Sequence, residues 1–398
     1  MSESNKQKSS YLQELLTTKD IVICSGAGGV GKTTISAALG AVSAHKCKAK
    51  VLVLTIDPAK RLSSALGLAE LGNEEKLVPS NHLEKAGMQD FQGELWAAML
   101  DAQQSWDSLV RKYAPSDEVV NKILLNPIYK NISSRFVYSH EYIAMERLYE
   151  AYSEKKYDLI IVDTPPTRNA IDFLKAPERM ADFFSSRLLR WLTVPSRSKI
   201  MSFASRPFYQ IADRVLGTKF LSEISEFFLL FQTMYPGFIS RAASVQQLLH
   251  DSKTTFIVVS TLDSVPMHEA ESFITELEKQ NYQLGAIVLN RVLPKMFSDP
   301  SRIKLAKNIS QDPDLVEKLF FEEQDLDPDQ LDLDRQSIKT VFKEVANNFL
   351  NFSALALKEQ SQKDNLKTTD KVVIEIPFLE TELNDVEALF QLGKHLWE

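Results

Sequence analysis

Cysteine is almost absent: the 398 residues contain two, Cys24 and Cys47. Two lone thiols build neither a disulfide framework nor a four-ligand zinc site. They fit a reducing cytoplasm. Long apolar runs are missing as well. None approaches the roughly 18 residues that a membrane-spanning helix needs. The first ten residues, MSESNKQKSS, hold no apolar secretory segment. A soluble, cytoplasmic protein with no integral membrane span is expected. There is also no surplus of positive charge: 46 Lys and Arg face 53 Asp and Glu, a formal net charge of -7. Sequence-independent nucleic-acid binders are more often basic, so nucleic acid is not an expected partner.

What the chain does have is apolar content, 44% of its residues, enough for a large core. Short β-rich runs punctuate it at 20–26, 50–57, 94–100, 157–163, 254–261, 284–290 and 371–376. Runs this uniformly apolar suit burial on both faces, as in a parallel sheet covered by helices. Helical patterns alternate with them. The expected fold class is α/β, a doubly wound, mainly parallel sheet. Residues 1–19 read as a polar tail and lead-in, and 20–398 as one domain. Segments at about 101–150 and 171–249 have few strand signals and are expected to form an inserted helical subdomain. The acidic stretch 322–334 reads as a solvated loop. Residues 358–370 read as an exposed linker into the last strand.

Chemistry enters at CSGAGGVGKTT, residues 24–34. Gly26, Gly31, Lys32 and Thr33 complete the G-x-x-x-x-G-K-[ST] pattern of a phosphate loop. Ala27, Gly28, Gly29 and Val30 fill it, and Thr34 follows. Glycines let backbone N–H groups converge on an anion. The helix that follows offers its N-terminus. Lys32 is placed to neutralise β- and γ-phosphates, and the Thr33 hydroxyl to ligate Mg2+. The match follows an expected strand and opens an expected helix, the context that supports it. Asp57 ends the strand in LTID, and Asp163 ends the one in IIVD. An Asp after a strand is often only a helix cap. Two of them at carboxyl strand ends, where ligands of doubly wound sheets lie, stand where the phosphates should bind and point instead to a functional role.

Together GGVGKTT, TIDPAKRLSSALG and VDTPPTRNA resemble the ArsA-type ATPase family, which includes arsenite-pump ATPases and the ATPase that chaperones tail-anchored membrane proteins. VLNRV and EIPFLETELNDVEAL resemble its adenine-side segments, so the similarity runs from about residue 20 to 395. The resemblance implies ATP and Mg2+ as cofactors and a homodimer as the working unit. It implies that Asp57 positions or activates the attacking water and that Asp163 orients the Mg2+ shell. It implies that Thr164 to Arg168 form a switch segment, that Asn290 contacts adenine, and that Arg291, Pro377 and Phe378 line the base pocket.

The chain departs from the family at three places. Where the family carries a lysine that reaches the partner's nucleotide, this sequence has Ala27. Candidates for a substitute cation are Arg168 first, then Lys60 and Arg61; each taken singly reads more readily as solvent-facing surface charge. Two separated thiols cannot make the three-thiolate site that a soft metalloid prefers. The Cys-x-x-Cys that joins subunits through zinc is also missing, so no zinc is expected.

Residues 220–234, FLSEISEFFLLFQTM, carry a wide apolar face at helical spacing. It reads as a buried core helix or as a groove for a hydrophobic protein client. The basic stretch between Asp182 and Asp213 reads as a mobile loop or a membrane-surface contact. The reading is a Mg2+-dependent ATPase that opens and closes a dimer. The alternatives are a nucleotide-gated binding module with little turnover, an arsenite-efflux subunit, and a partitioning ATPase whose membrane-binding C-terminus is not evident here.

Overall fold

Eight strands form one sheet in the computed structural model, which describes residues 3–57, 61–130, 139–166, 170–186, 218–317, 335–366, 371–379 and 386–397. They are β1 (Ile21–Gly26), β2 (Lys50–Thr55), β3 (Lys76–Leu77), β4 (Glu94–Met99), β5 (Leu159–Asp163), β6 (Thr254–Ser260), β7 (Leu284–Val292) and β8 (Val372–Pro377). Their order is β3-β4-β2-β5-β1-β6-β7-β8. Every pairing is parallel except β3 with β4.

The inner strands are apolar on both faces because both faces are covered. Along β1, Ile21 and Ile23 enter one core with Leu52, Leu54, Ile160 and Val162. Val22 and Cys24 enter the other with Val51, Val53, Leu159 and Ile161. The second core is closed by α1 (Glu3–Thr18), α2 (Lys32–Cys47), α3 (Arg61–Ala65), α4 (Ser80–Lys85) and the last helix, Val386–Trp397.

The first core is deeper. It takes α5 (Ala102–Tyr113), α6 (Asp117–Leu125), α7 (Ser139–Ser153), α8 (Ala170–Ser185), α9 (Thr218–Gln232), α10 (Tyr235–His250) and α11 (Ser264–Lys279). Local chemistry sets two of these starts. Asp101 caps α5 by accepting from the Gln104 N–H at 2.9 Å, and Ser116 caps α6 from the Val119 N–H. Between β7 and β8 lie α12 (Pro300–Gln311) and the 32-residue α13 (Arg335–Leu366); the last helix is α14.

Three sequence expectations change. Residues 3–18, read as part of a polar tail, form α1, which places Leu12, Leu15 and Leu16 in the second core, buried, so this helix docks on the sheet. Residues 358–366 are not a linker, since α13 runs through them. Their Lys, Glu and Gln side chains are good helix formers, and the burial of Ala346, Ser353 and Ala356 pins the helix upstream. The pair Lys76–Leu77 adds a short antiparallel strand that two residues could not announce. In 220–234, Phe227, Phe228, Phe231 and Met234 are buried, and Phe231 stacks on Phe238 with centroids 5.4 Å apart. Those four residues are core. The acidic stretch 322–334 and most of the basic one, 187–213, lie outside the described residues.

Candidate active site

β1 ends at Gly26 and α2 begins at Lys32, so the loop between them lies at the carboxyl edge of the sheet. The edge is crowded below the loop: a Cβ on Gly26 would sit 2.0 Å from the Val259 carbonyl oxygen. Gly31 has φ 95, a left-handed conformation that lets the chain turn directly into α2. A Cβ there would lie 2.4 Å from Asn290 Nδ2. A Cβ on Gly29 would meet nothing within 4 Å beyond its chain neighbours. The loop therefore rests on β6 and β7 and faces open space on its other side, a cradle of anion size above a helix N-terminus.

Lys32 is buried, and its Nζ donates to the Ala27 carbonyl at 2.9 Å. Burial lowers its pKa, opposed by the charges of Asp163 and Asp57. Those carboxylates thus lie near enough to Lys32 to act on it. Asp163, at the tip of β5, is fully buried. Its Oδ2 accepts from Thr33 Oγ1 at 2.7 Å and from Thr55 Oγ1 at 2.8 Å. Its Oδ1 is buried with no hydrogen-bond partner. Burial raises its pKa, and the two hydroxyl bonds work against that.

An unpartnered, buried carboxylate oxygen costs several kcal/mol unless a cation or donor satisfies it. Mg2+ prefers few protein oxygens and keeps phosphate and water for the rest. Thr33, Asp163 and the half-buried Asp57 offer such a set, so the residues fit the ion. No group of three or more His, Cys, Asp and Glu able to hold a metal occurs among the described residues. A metal here would depend on the nucleotide's own oxygens.

The chain that follows β5 begins in contact with the strand and loop of the phosphate motif. The Thr164 N–H and hydroxyl both donate to the Cys24 carbonyl, at 3.2 and 2.9 Å. Pro166 stands beside Gly28. Arg61 opens α3, is exposed, and is close enough to lower the Lys32 pKa further. Arg168 and Lys60 lie outside the described residues.

On the other flank, Asn290 is buried beneath the loop. Its Nδ2 donates to the Val30 carbonyl at 2.8 Å, and its Oδ1 accepts from the Arg291 N–H. Its amide is thus engaged in holding the phosphate loop. Arg291 takes a left-handed φ of 59, which turns the chain off β7. Phe378 donates its N–H to the Val292 carbonyl at 2.9 Å and leaves its ring exposed, next to Pro377.

Two residues of the site carried no signal in the sequence. Thr55 matters only because β2 and β5 are neighbours. Glu359, from α13, accepts from the Leu293 N–H at 3.0 Å just past β7. Burial raises its pKa. A cavity of about 420 Å³ between α5 and α7 is not part of this site. Of its charged lining residues, Lys112 pairs with Glu150 and Glu146 with Arg241.

Residues 19–322 match the sequence profile of a family described as anion-transporting ATPases. Among similar proteins, an ATPase ASNA1 homolog of Entamoeba dispar is 25% identical over 71% of this chain and 80% of its own. The ATPase get3 of Aspergillus niger is 26% identical, over 72% of this chain and 78% of its own. An Aquifex aeolicus protein provisionally named arsenical pump-driving ATPase 2 is 24% identical over 83% of this chain and 97% of its own.

Proposed function

The chain belongs to the anion-transporting ATPase family and is an ATPase; we propose that it is Mg2+-dependent and couples ATP binding and hydrolysis to the opening and closing of a homodimer that handles a hydrophobic protein client. The observation that carries the nucleotide part is the foot of the loop. Two hydroxyls converge on one oxygen of Asp163 and leave the other bare, beside Lys32.

Lys32 would exchange the Ala27 carbonyl for β- and γ-phosphate oxygens. This trades a neutral acceptor for charged ones in a dry site, where such bonds are stronger. Thr33, Asp163 and Asp57 would hold Mg2+. When bound, that ion neutralises charge on the phosphates. Asp57 would orient the attacking water and draw on its proton. Arg168, or failing it Arg61 or Lys60, would supply the cation that Ala27 cannot. Arg291, Pro377 and Phe378 would border the base, with Asn290 holding loop and base pocket together.

A client would meet the exposed apolar side chains of the helical layer, such as Leu125 and Ile239, since Phe227 and Phe231 are spent on its core. Homologues named ASNA1 and get3 support this class of role, and the free thiols Cys24 and Cys47 suit the cytoplasm. An arsenite role is less favoured, because burial pushes the Cys24 thiol up to about 12, far from a ligating thiolate. No described helix is long and apolar enough to cross a membrane.

A second reading is a nucleotide-gated binding module with little turnover. Ala27 favours it, because an alanine offers no charge in trans. Steady-state ATP hydrolysis with and without Mg2+ separates the two.

A further inference from the structure

Of the fourteen exposed large apolar side chains among the described residues, five lie on α13: Val341, Val345, Phe352, Leu355 and Leu357. One face of this helix is spoken for. Ala346, Ser353 and Ala356 are buried, and Phe349 packs on Phe297 with centroids 5.2 Å apart. On the adjacent face the Phe352 ring also packs on Phe297, with centroids 5.2 Å apart, and is still 46% exposed. Val341, Val345, Asn348, Phe352 and Leu355 follow one another at intervals of four, three, four and three residues, and all five are exposed. This is the 3.5-residue repeat of a seam that a second helix fills. It is interrupted by one amide, Asn348, the device that fixes register in such seams at some cost in stability.

The charges beside the seam identify the occupant. Glu344 and Lys358 stand on its free flank, with Asn351 midway between them. Both charged residues are exposed, and neither enters an ion pair among the described residues. Turn the helix end for end about its centre near residue 350, and Val345 meets Leu355, Asn348 meets Phe352, and Glu344 meets Lys358. The surface is complementary to its own two-fold image, as an isologous interface requires. An uncharged apolar client would leave both charges and the Asn348 amide without partners.

We propose that α13 is a self-association surface on which a second copy of this chain pairs antiparallel. Val345–Leu355 and Asn348–Phe352 form its layers, and two symmetry-related Glu344–Lys358 ion pairs flank them. The contact is separate from the phosphate loop and needs neither zinc nor nucleotide. It also touches the nucleotide edge of the sheet indirectly. Glu359, the next position of the seam, accepts from Leu293 beyond β7, and Lys363 pairs with Glu375 on β8.

The test is sedimentation equilibrium on the full chain without nucleotide, with folding followed by circular dichroism. E344K alone and K358E alone should each weaken self-association by about tenfold, since two attractive pairs become repulsive. An equimolar mixture of the two variants should recover wild-type affinity as a heterodimer. Asn351→Cys in a Cys47→Ala background should cross-link between copies under mild oxidation. The proposal is overturned if the wild-type chain is monomeric without nucleotide. It is equally overturned if the charge variants associate like wild type, if the mixture fails to recover, or if the seam binds a fluorescent apolar helix peptide while the chain stays monomeric. Repeating the series with Lys32→Ala keeps this outcome apart from the nucleotide reading: the seam should be unaffected by that change.

Discussion

Thr55, at the end of β2, donates its hydroxyl to Oδ2 of Asp163, at the end of the neighbouring β5, 2.8 Å away. The bond joins the two strand ends that carry the acidic residues of the site. It also fixes which oxygen of Asp163 remains bare. Replacing Thr55 by Val keeps shape and removes the donor. The folded protein should lose about 1–3 kcal/mol in urea denaturation, the usual cost of a hydrogen bond to a charged group. The Mg2+ concentration that gives half-maximal ATPase activity should rise, because the Asp163 carboxylate is freed to turn. Unchanged stability together with unchanged Mg2+ dependence would remove Thr55 from the site.

Asp57→Asn should leave ATP binding close to wild type and lower turnover by about 100-fold or more, the scale at which a group that orients water and takes its proton acts. Single-turnover hydrolysis measures this without interference from product release. Turnover within a factor of about two of wild type would refute the role given to Asp57.

The cation that Ala27 does not supply can be located by kinetics. Arg168→Ala should lower kcat far more than it raises the dissociation constant for ATP, since charge on the transferring phosphoryl group is felt most in the transition state. Arg61→Ala and Lys60→Ala serve as comparisons. A guanidinium can hold two phosphate oxygens at once, which favours the arginines over Lys60. If all three variants turn over like wild type, no switch cation replaces the lysine, and the low-turnover binding module becomes the better reading.

Phe231 is 4% exposed and packs against Phe227 and Phe238, with centroids 5.2 and 5.4 Å away. Phe231→Ala should cost about 3–5 kcal/mol, the range for a large ring removed from a closed core. ATP affinity should persist at temperatures where the variant is folded. A loss below about 1 kcal/mol, with weaker client capture instead, would mean that the ring lines a groove.

The phosphate loop was legible because its chemistry is local. Seven consecutive residues, Gly26 to Lys32, carry the turn, the glycines and the cation, and the flanking apolar run and helix confirm them. Asp163 drew notice because it ends β5, and Asp57 because it follows the end of β2 by two residues. Thr55 was not, because its importance arises from β2 lying beside β5, a contact between residues 108 positions apart. The α1 helix was missed for a different reason. Leu12, Leu15 and Leu16 have helical spacing, but the polar residues before them set the character of the segment. For Asn290, sequence similarity suggested the base. The structure adds a hydrogen bond from its amide to the Val30 carbonyl, which the motif VLNRV does not reveal.

The central claim is that this loop is a working ATP site, and the ammonium of Lys32, now donated to the Ala27 carbonyl, is the group to remove. The measurement is titration calorimetry of ATP, with Mg2+, into wild type and Lys32→Ala, with circular dichroism as the control for folding. Two lost charge-assisted bonds predict affinity weaker by about 100-fold or more in a normally folded variant. Equal affinity in the two folded proteins would contradict the account.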